Sequence, residues 1–304
     1  MQHGGAGQMY EIAIETAEIR ATLVPGVGAA IAALEAVTPT GRVPILRPSA
    51  EMAARPFEFA STILAPFSNR ISGGGFWFDN AFHAVPVIGD DQTLPIHGDA
   101  LHRPWGVIDA QRSSVTMELQ DGKTGPFKYS AKMTFQVSGA SFRQHLRMTN
   151  TGKRMPFGGG FHPFFPRHAD TTLQFQAGGV WLADGNRIPT SHAAIADCPL
   201  WDFSAAGPLP EDLLDNGFSG WIGPAEIRQP SLGIAIAVSG SSNLQTAIVF
   251  APHPSKPFFC FEPVSHPVDA VNLAGSHGMQ VLDFGESLEM WMEISWKPIS
   301  LWAD

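Results

Sequence analysis

Glu262 ends the run Phe258-Phe259-Cys260-Phe261 and is followed by Pro263. A carboxylate beside so much apolar surface must be paired, be raised in pKa by desolvation, or reach into a polar cavity. Each outcome makes it a candidate acid or base, with a buried structural ion pair as the plainer alternative. His162 lies between Gly158-Gly159-Gly160 and Pro163. Glycine permits close approach and proline imposes rigidity, so the segment reads as a loop that aims an imidazole into a cleft. A histidine satisfied by hydrogen bonds in a turn is the alternative there. His97 sits similarly between Pro95-Ile96 and Gly98.

Arg70 follows Asn69 in an apolar, glycine-rich neighbourhood that includes Ile71 and Gly73-Gly74-Gly75. Its guanidinium fork suits hydroxyl or carboxylate oxygens, the alternative being a surface arginine beside a turn. Asp215, in Leu214-Asp215-Asn216-Gly217-Phe218, carries the weakest signal, because a solvated loop is the commoner fate of such a segment.

The elements that must position these groups read as strands. Leu288, Met290, Met292, Ile294 and Trp296 alternate with Glu289, Trp291, Glu293 and Ser295, the period-two mark of a strand with one buried face. Phe142, Gln144, Leu146 and Met148 alternate likewise with Arg143, His145 and Arg147. Val115, Met117 and Leu119 alternate with Thr116, Glu118 and Gln120, and Asp121-Gly122 reads as the turn of a hairpin. Ile234 to Val238 reads as a strand buried on both faces or crowded by a neighbouring sheet. The one helical candidate is a single turn over Pro210–Leu214, with Glu211 and Asp212 where a first turn favours acids. The 31 glycines and 25 prolines disfavour long helices throughout.

With 304 residues, 44% of them hydrophobic, the chain can bury a sizeable core. No repeat or low-complexity linker divides it, so the expectation is one domain over residues 1–304, an all-β, large antiparallel β-sandwich. The formal net charge of −9, without a run of basic residues, disfavours nucleic acid and anionic membrane as partners. Cys198 and Cys260 cannot make a disulfide framework, and neither sits in a CxxC pair. No His-x-His pair with a following glutamate occurs, so no metal is expected. Met1 to Gln8 lack the basic start and apolar stretch of a secretory signal, and no window approaches a membrane span. The expected compartment is the cytoplasm.

Taken in order, Asn69-Arg70-Ile71 with Gly75-Phe76, His97-Gly98 with Trp105, Gly160-His162-Pro163-Phe165, Asp215 with Phe218, and Cys260-Glu262-Pro263 resemble the aldose 1-epimerase (galactose mutarotase-like) family. The ordered set spans roughly residues 10 to 297. The resemblance implies a galactose mutarotase-like supersandwich with its site in a groove on one sheet. It implies interconversion of the α and β anomers of a free aldose, without cofactor or metal. Carried over, Glu262 is the base that takes the anomeric hydroxyl proton and His162 the acid that protonates the ring oxygen. The two would grip opposite sides of one sugar ring. Asn69, Arg70, His97 and Asp215 would bind the substrate, and Trp77, Phe161 and Phe261 are candidate stacking walls or, at least equally, core residues. The sequence has Phe164 after Pro163 where many relatives have tyrosine.

The expected partner is a monosaccharide and the expected assembly a monomer or homodimer. A carbohydrate-binding protein, or a glycoside hydrolase or lyase using Glu262 and Asp215, on the same scaffold is the alternative reading.

Overall fold

The computed structural model describes residues 10–89, 92–275 and 277–299. Among these, every helical segment is a three-residue 3-10 turn, and two large antiparallel sheets carry the fold. The eleven-stranded sheet runs from Ile12–Glu15 through Ile19–Val24, Ala30–Thr38, Ser61–Leu64, Gly160–Pro166, Phe258–Val264, Thr246–Ala251, Leu214–Ser219 and Gly179–Ala183 to Pro189–Ala194, with Gly41–Pro44 paired to Ala30–Thr38. The nine-stranded sheet includes Ile222–Gln229, Ile234–Gly240, Ser287–Pro298, Ser141–Asn150, Phe127–Ser138 and Ser114–Thr124 in spatial order. This is the large antiparallel β-sandwich expected from the sequence.

The inner faces of both sheets meet in one core. Phe161, Phe165, Phe218, Val249, Phe259 and Phe261 come from the larger sheet; Phe135, Phe142, Leu146, Met290 and Met292 from the smaller. Burying side chains of this size stabilises the fold by about 1.5–3 kcal/mol each, so the shared core is what holds the sheets face to face. The alternation expected for Leu288–Trp296, for Phe142–Met148 and for Val115–Leu119 is the observed burial pattern. Ile234, Ala235, Ile236 and Val238 are buried, as a strand covered on both faces requires.

Two local expectations give way. Asp121-Gly122 is no turn: the strand continues over Ser114–Thr124, and its partner shifts register between Tyr129 and Ala131. The Tyr129 ring passes so close to Gly122 that a Cβ there would lie 2.4 Å from it, which explains the glycine without a turn. The Pro210–Leu214 segment forms no helical turn either; it bends, and Leu214 opens the strand Leu214–Ser219. Pairing of that strand along its whole length with Thr246–Ala251 outweighs the weak local helix signal.

Candidate active site

His162 and Glu262 lie on neighbouring central strands, Gly160–Pro166 and Phe258–Val264. Gly160 pairs with Val264 and Phe164 with Cys260, a register that sets position 162 opposite position 262. Their neighbours Phe161, Phe165, Phe259 and Phe261 point into the core, so strict alternation turns His162, Phe164, Cys260 and Glu262 to the other face. His162 is therefore on a strand, not in a loop. Proline within a central strand removes a ladder donor. Here Pro163 and Pro263 sit where the ladder opens, between the Gly160–Val264 and Phe164–Cys260 pairs. The preceding glycines permit close approach: a Cβ on Gly159 would lie 2.4 Å from the Leu64 carbonyl oxygen, and one on Gly160 2.3 Å from that of Pro263.

His162 Nε2 is 3.3 Å from Glu262 Oε1, with the side chains 9% and 3% exposed. Burial pushes the Glu262 carboxyl well above the usual carboxylate range, and the charge of Asp215 adds to this while Arg70 opposes it. Burial also pulls His162 down to about 3. Both groups are thus driven to their neutral forms, and the contact between them carries one exchangeable proton. Glu262 Oε2 and His162 Nδ1 are buried without hydrogen-bond partners. Unpaired buried polar atoms cost free energy, a cost that polar ligand groups reaching them would relieve. A structural ion pair would instead bring Glu262 a permanent cation. Among the described residues, the group within ion-pair distance of Glu262 is a histidine kept neutral by burial, and the Arg70 charge acts on it from farther away.

The remaining expected residues surround this pair. Asn69 and His97 exchange backbone contacts: Asn69 N–H donates to His97 Nδ1 at 3.0 Å, and His97 N–H donates to the Asn69 carbonyl at 3.1 Å. Since Nδ1 accepts and burial holds the ring neutral, the His97 proton is on Nε2. Asn69 Oδ1 accepts from both the backbone N–H and Nη1 of Arg70, at 2.9 and 3.0 Å, aiming the guanidinium. Arg70 Nη1 lies 4.0 Å from Asp215 Oδ2, and Arg187 Nε lies 3.8 Å from the same oxygen. Asp215 is on a strand with its side chain 14% exposed, not in a solvated loop. Burial raises its pKa, and Arg70 and Arg187 pull it back. The rings of His97 and His162 are 5.5 Å apart, which joins this group to the catalytic candidates.

Of the candidate stacking walls, two take the core alternative. Phe161 and Phe261 are fully buried in the core, because their strand positions face inward, and Trp77 is 71% exposed on the Gly75–Phe78 hairpin strand against Phe82. The aromatic surroundings come instead from Phe57, 5.7 Å from His97 and 5.5 Å from His162, and from Phe164, stacked on His162 at 4.6 Å. Arg47 lies over Phe164 at 4.1 Å and donates to the carbonyls of Phe57 and Phe59. It thereby braces both rings. Trp181 borders Gly217, and its indole Nε1 is buried without a partner. Sequence reasoning passed over Arg47, Phe57, Trp181 and Arg187, since none lies in a short motif with its partners. A cavity of about 530 Å³ is lined by Phe57, Ile96 and His102, and one of about 560 Å³ by Trp221 and Leu244; neither lining includes the His162–Glu262 pair. Chemistry, rather than cavity size, locates the site.

Cys260 adds a donor atom. Its sulfur, a His162 ring nitrogen and a Glu262 oxygen lie within 4.8 Å of one another. His-x-His spacing could not reveal such a set, because it spans two strands.

A family model described as aldose 1-epimerase matches residues 10–295. The uncharacterized protein YphB of Escherichia coli K12 is 30% identical over 243 residues, covering 77% of this chain and 83% of that protein. A crystal structure of a candidate aldose 1-epimerase from Escherichia coli K12 superposes with a TM-score of 0.89 at 26% identity, covering 96% of this chain and all of that one (100%). A galactose mutarotase-like protein from Clostridium acetobutylicum superposes with a TM-score of 0.81 at 17% identity, covering 96% of each chain; at that identity the likeness shows the fold alone. No helix among the described residues is long and apolar enough to cross a membrane.

Proposed function

Because the chain belongs to the aldose 1-epimerase family, we propose that it interconverts the α and β anomers of a free aldose through acid–base exchange between Glu262 and His162. The observation that carries this reading is the 3.3 Å contact between His162 Nε2 and Glu262 Oε1. The anomeric hydroxyl and the ring oxygen are bonded to one carbon, so an acid and a base that serve both must stand side by side. The contact between the two groups supports this reading, in which both reach one end of the sugar ring.

Glu262 takes the proton from the anomeric hydroxyl as C1 becomes a carbonyl, the bond from C1 to the ring oxygen breaks, and His162 gives a proton to that oxygen. Rotation about the bond from C1 to C2 presents the other face of the aldehyde. Ring closure then runs the same transfers backwards: the ring oxygen returns its proton to His162 as it attacks C1, and Glu262 reprotonates the new anomeric hydroxyl. In the sugar-free site, burial leaves the exchangeable proton on Glu262. The sugar's hydroxyls, hydrogen-bonding the orphaned Glu262 Oε2, favour its carboxylate form, with the proton across the contact on His162. General acid–base transfer of this kind contributes about 10²–10⁴-fold each way.

His97 Nε2, Arg70 and Asp215 are the groups that hold the sugar's hydroxyls, with Asn69 fixing the first two. Arg187, on the same Asp215 oxygen as Arg70, joins them. The test is polarimetry on a panel of freshly dissolved pure anomers, with spontaneous rates subtracted. Acceleration of at least one aldose is expected. Failure on every aldose, or release of reducing sugar from a disaccharide, would overturn the assignment in favour of a binding or glycoside-processing protein.

A further inference from the structure

Proton exchange with a sugar uses two of three donor atoms that the fold gathers at one place. Cys260 and Glu262 stand two apart on the strand Phe258–Val264 and so project from the same face, while the register brings His162 beside Glu262. The sulfur, the imidazole nitrogen and the carboxylate oxygen lie within 4.8 Å of one another, and all three residues are buried. Cys260 is a free thiol, Glu262 Oε2 and His162 Nδ1 have no hydrogen-bond partner, and the acid–base cycle has no need of sulfur.

We propose that Cys260, His162 and Glu262 form a binding site for a thiophilic divalent cation, best fitted by Zn²⁺, whose occupancy excludes the sugar's proton exchange. Thiolate, imidazole and carboxylate are the donor types Zn²⁺ takes, and three protein ligands leave a fourth position for water. Bond lengths of about 2.0–2.3 Å set neighbouring donors of a tetrahedral site roughly 3–4 Å apart. The His162–Glu262 separation of 3.3 Å already has this value, and the sulfur lies within 4.8 Å of both partners. Hard cations such as Mg²⁺ and Ca²⁺ prefer all-oxygen shells and are not expected to bind.

Charge balance favours the exchange. The thiol gives up one proton and the Glu262 carboxyl a second, both to solvent, as the dication forms bonds to sulfur, oxygen and the imidazole nitrogen. Two positive charges leave the buried site as two enter, so no net charge is stranded there. Two released protons also make the affinity rise with pH. The inhibitory consequence rests on the assignment of Glu262 and His162 as the acid–base pair; the site itself does not.

The experiment uses the full chain, stripped with a chelator, dialysed and kept reduced. Titration with Co²⁺ should produce a sulfur-to-cobalt charge-transfer band in the near ultraviolet that persists in Cys198→Ser, is lost in Cys260→Ala and is displaced by Zn²⁺. If Cys260→Ala does not fold, Cys260→Ser gives the same comparison, because a hydroxyl oxygen produces no such band. In polarimetry, Zn²⁺ should slow mutarotation while Mg²⁺ does not. Relative to its own basal rate, Cys260→Ala should need at least about tenfold more Zn²⁺ for the same inhibition, the loss of roughly 1.4 kcal/mol or more of binding. Absence of the band in the folded protein, or a band that survives Cys260→Ala, would overturn the site. A protein that turns over no aldose but shows the Cys260-dependent band would reject the mutarotase reading and leave the cation site standing.

Discussion

His162 Nε2 and Glu262 Oε1 lie 3.3 Å apart across two neighbouring antiparallel strands. On the proposed function, one pair of opposed strand positions supplies both halves of a proton exchange. Its expected consequences are open to direct measurement.

Glu262→Gln and His162→Asn each keep the shape of the side chain and remove its proton transfer. Each should lower kcat for mutarotation by about 10²–10⁴-fold. Circular dichroism should show the wild-type fold in both. A folded variant with a near-normal rate would reject the role given to that residue.

Arg70 is aimed by Asn69 Oδ1 and lies 4.0 Å from Asp215. Its charge acts on Glu262 from outside ion-pair distance, a place that suits holding a hydroxyl group, not moving a proton. Arg70→Lys removes the planar fork, so KM should rise at least as much as kcat falls. Steady-state kinetics with an unaltered KM would rule out the positioning task.

Gly98 follows His97 with φ +71°, and a Cβ on it would lie 2.1 Å from the Ala65 carbonyl oxygen. Left-handed backbone and backbone collision coincide at this residue. Gly98→Ala should cost about 1–3 kcal/mol, visible as a lowered Tm, and should raise KM by displacing the His97 ring. Unchanged stability would show that the turn relaxes freely.

Acid should destabilise the fold through its buried neutral histidines. Burial lowers His266 from 6.5 to about 4; its Nε2 accepts from the Ser68 N–H, and its Nδ1 contacts the Pro267 carbonyl. The unfolded chain binds a proton at this residue below about pH 6.5 and the native chain does not, so the stability it contributes is lost as pH falls from about 6.5 towards 4. The slope is about 1.4 kcal/mol per pH unit. Glu262 and Asp215, raised by burial, act in the opposite sense above the ordinary carboxylate range. Wild type and His266→Asn, compared by urea unfolding at several pH values, isolate the histidine's share. Parallel pH dependence in the two proteins would exclude it.

Several features were legible from residue order alone. Period-two alternation located Ser287–Pro298 and Ser141–Asn150 because a half-buried strand must alternate. The apolar run before Glu262 implied a carboxylate whose pKa burial would disturb, since desolvation acts whatever the fold. Local signals misled where a distant neighbour decided the outcome. Gly122 resembled a turn residue, whereas the Tyr129 ring is what demands it. His162 resembled a loop residue, whereas two facing strands that open at Pro163 and Pro263 hold it.

The sequence by itself determined that the chain folds as sheets and marked residues 162 and 262 as candidates for proton transfer, because alternation, burial and acid–base chemistry are properties of a residue and its near neighbours. Tertiary structure decided which groups meet. Strand register, which no short motif encodes, placed Cys260 beside the pair, set Arg187 against Asp215 and turned Phe261 inward while Phe57 and Phe164 enclosed the imidazole. A one-residue shift in that register would have exchanged the two faces, sending the acid and base into the core.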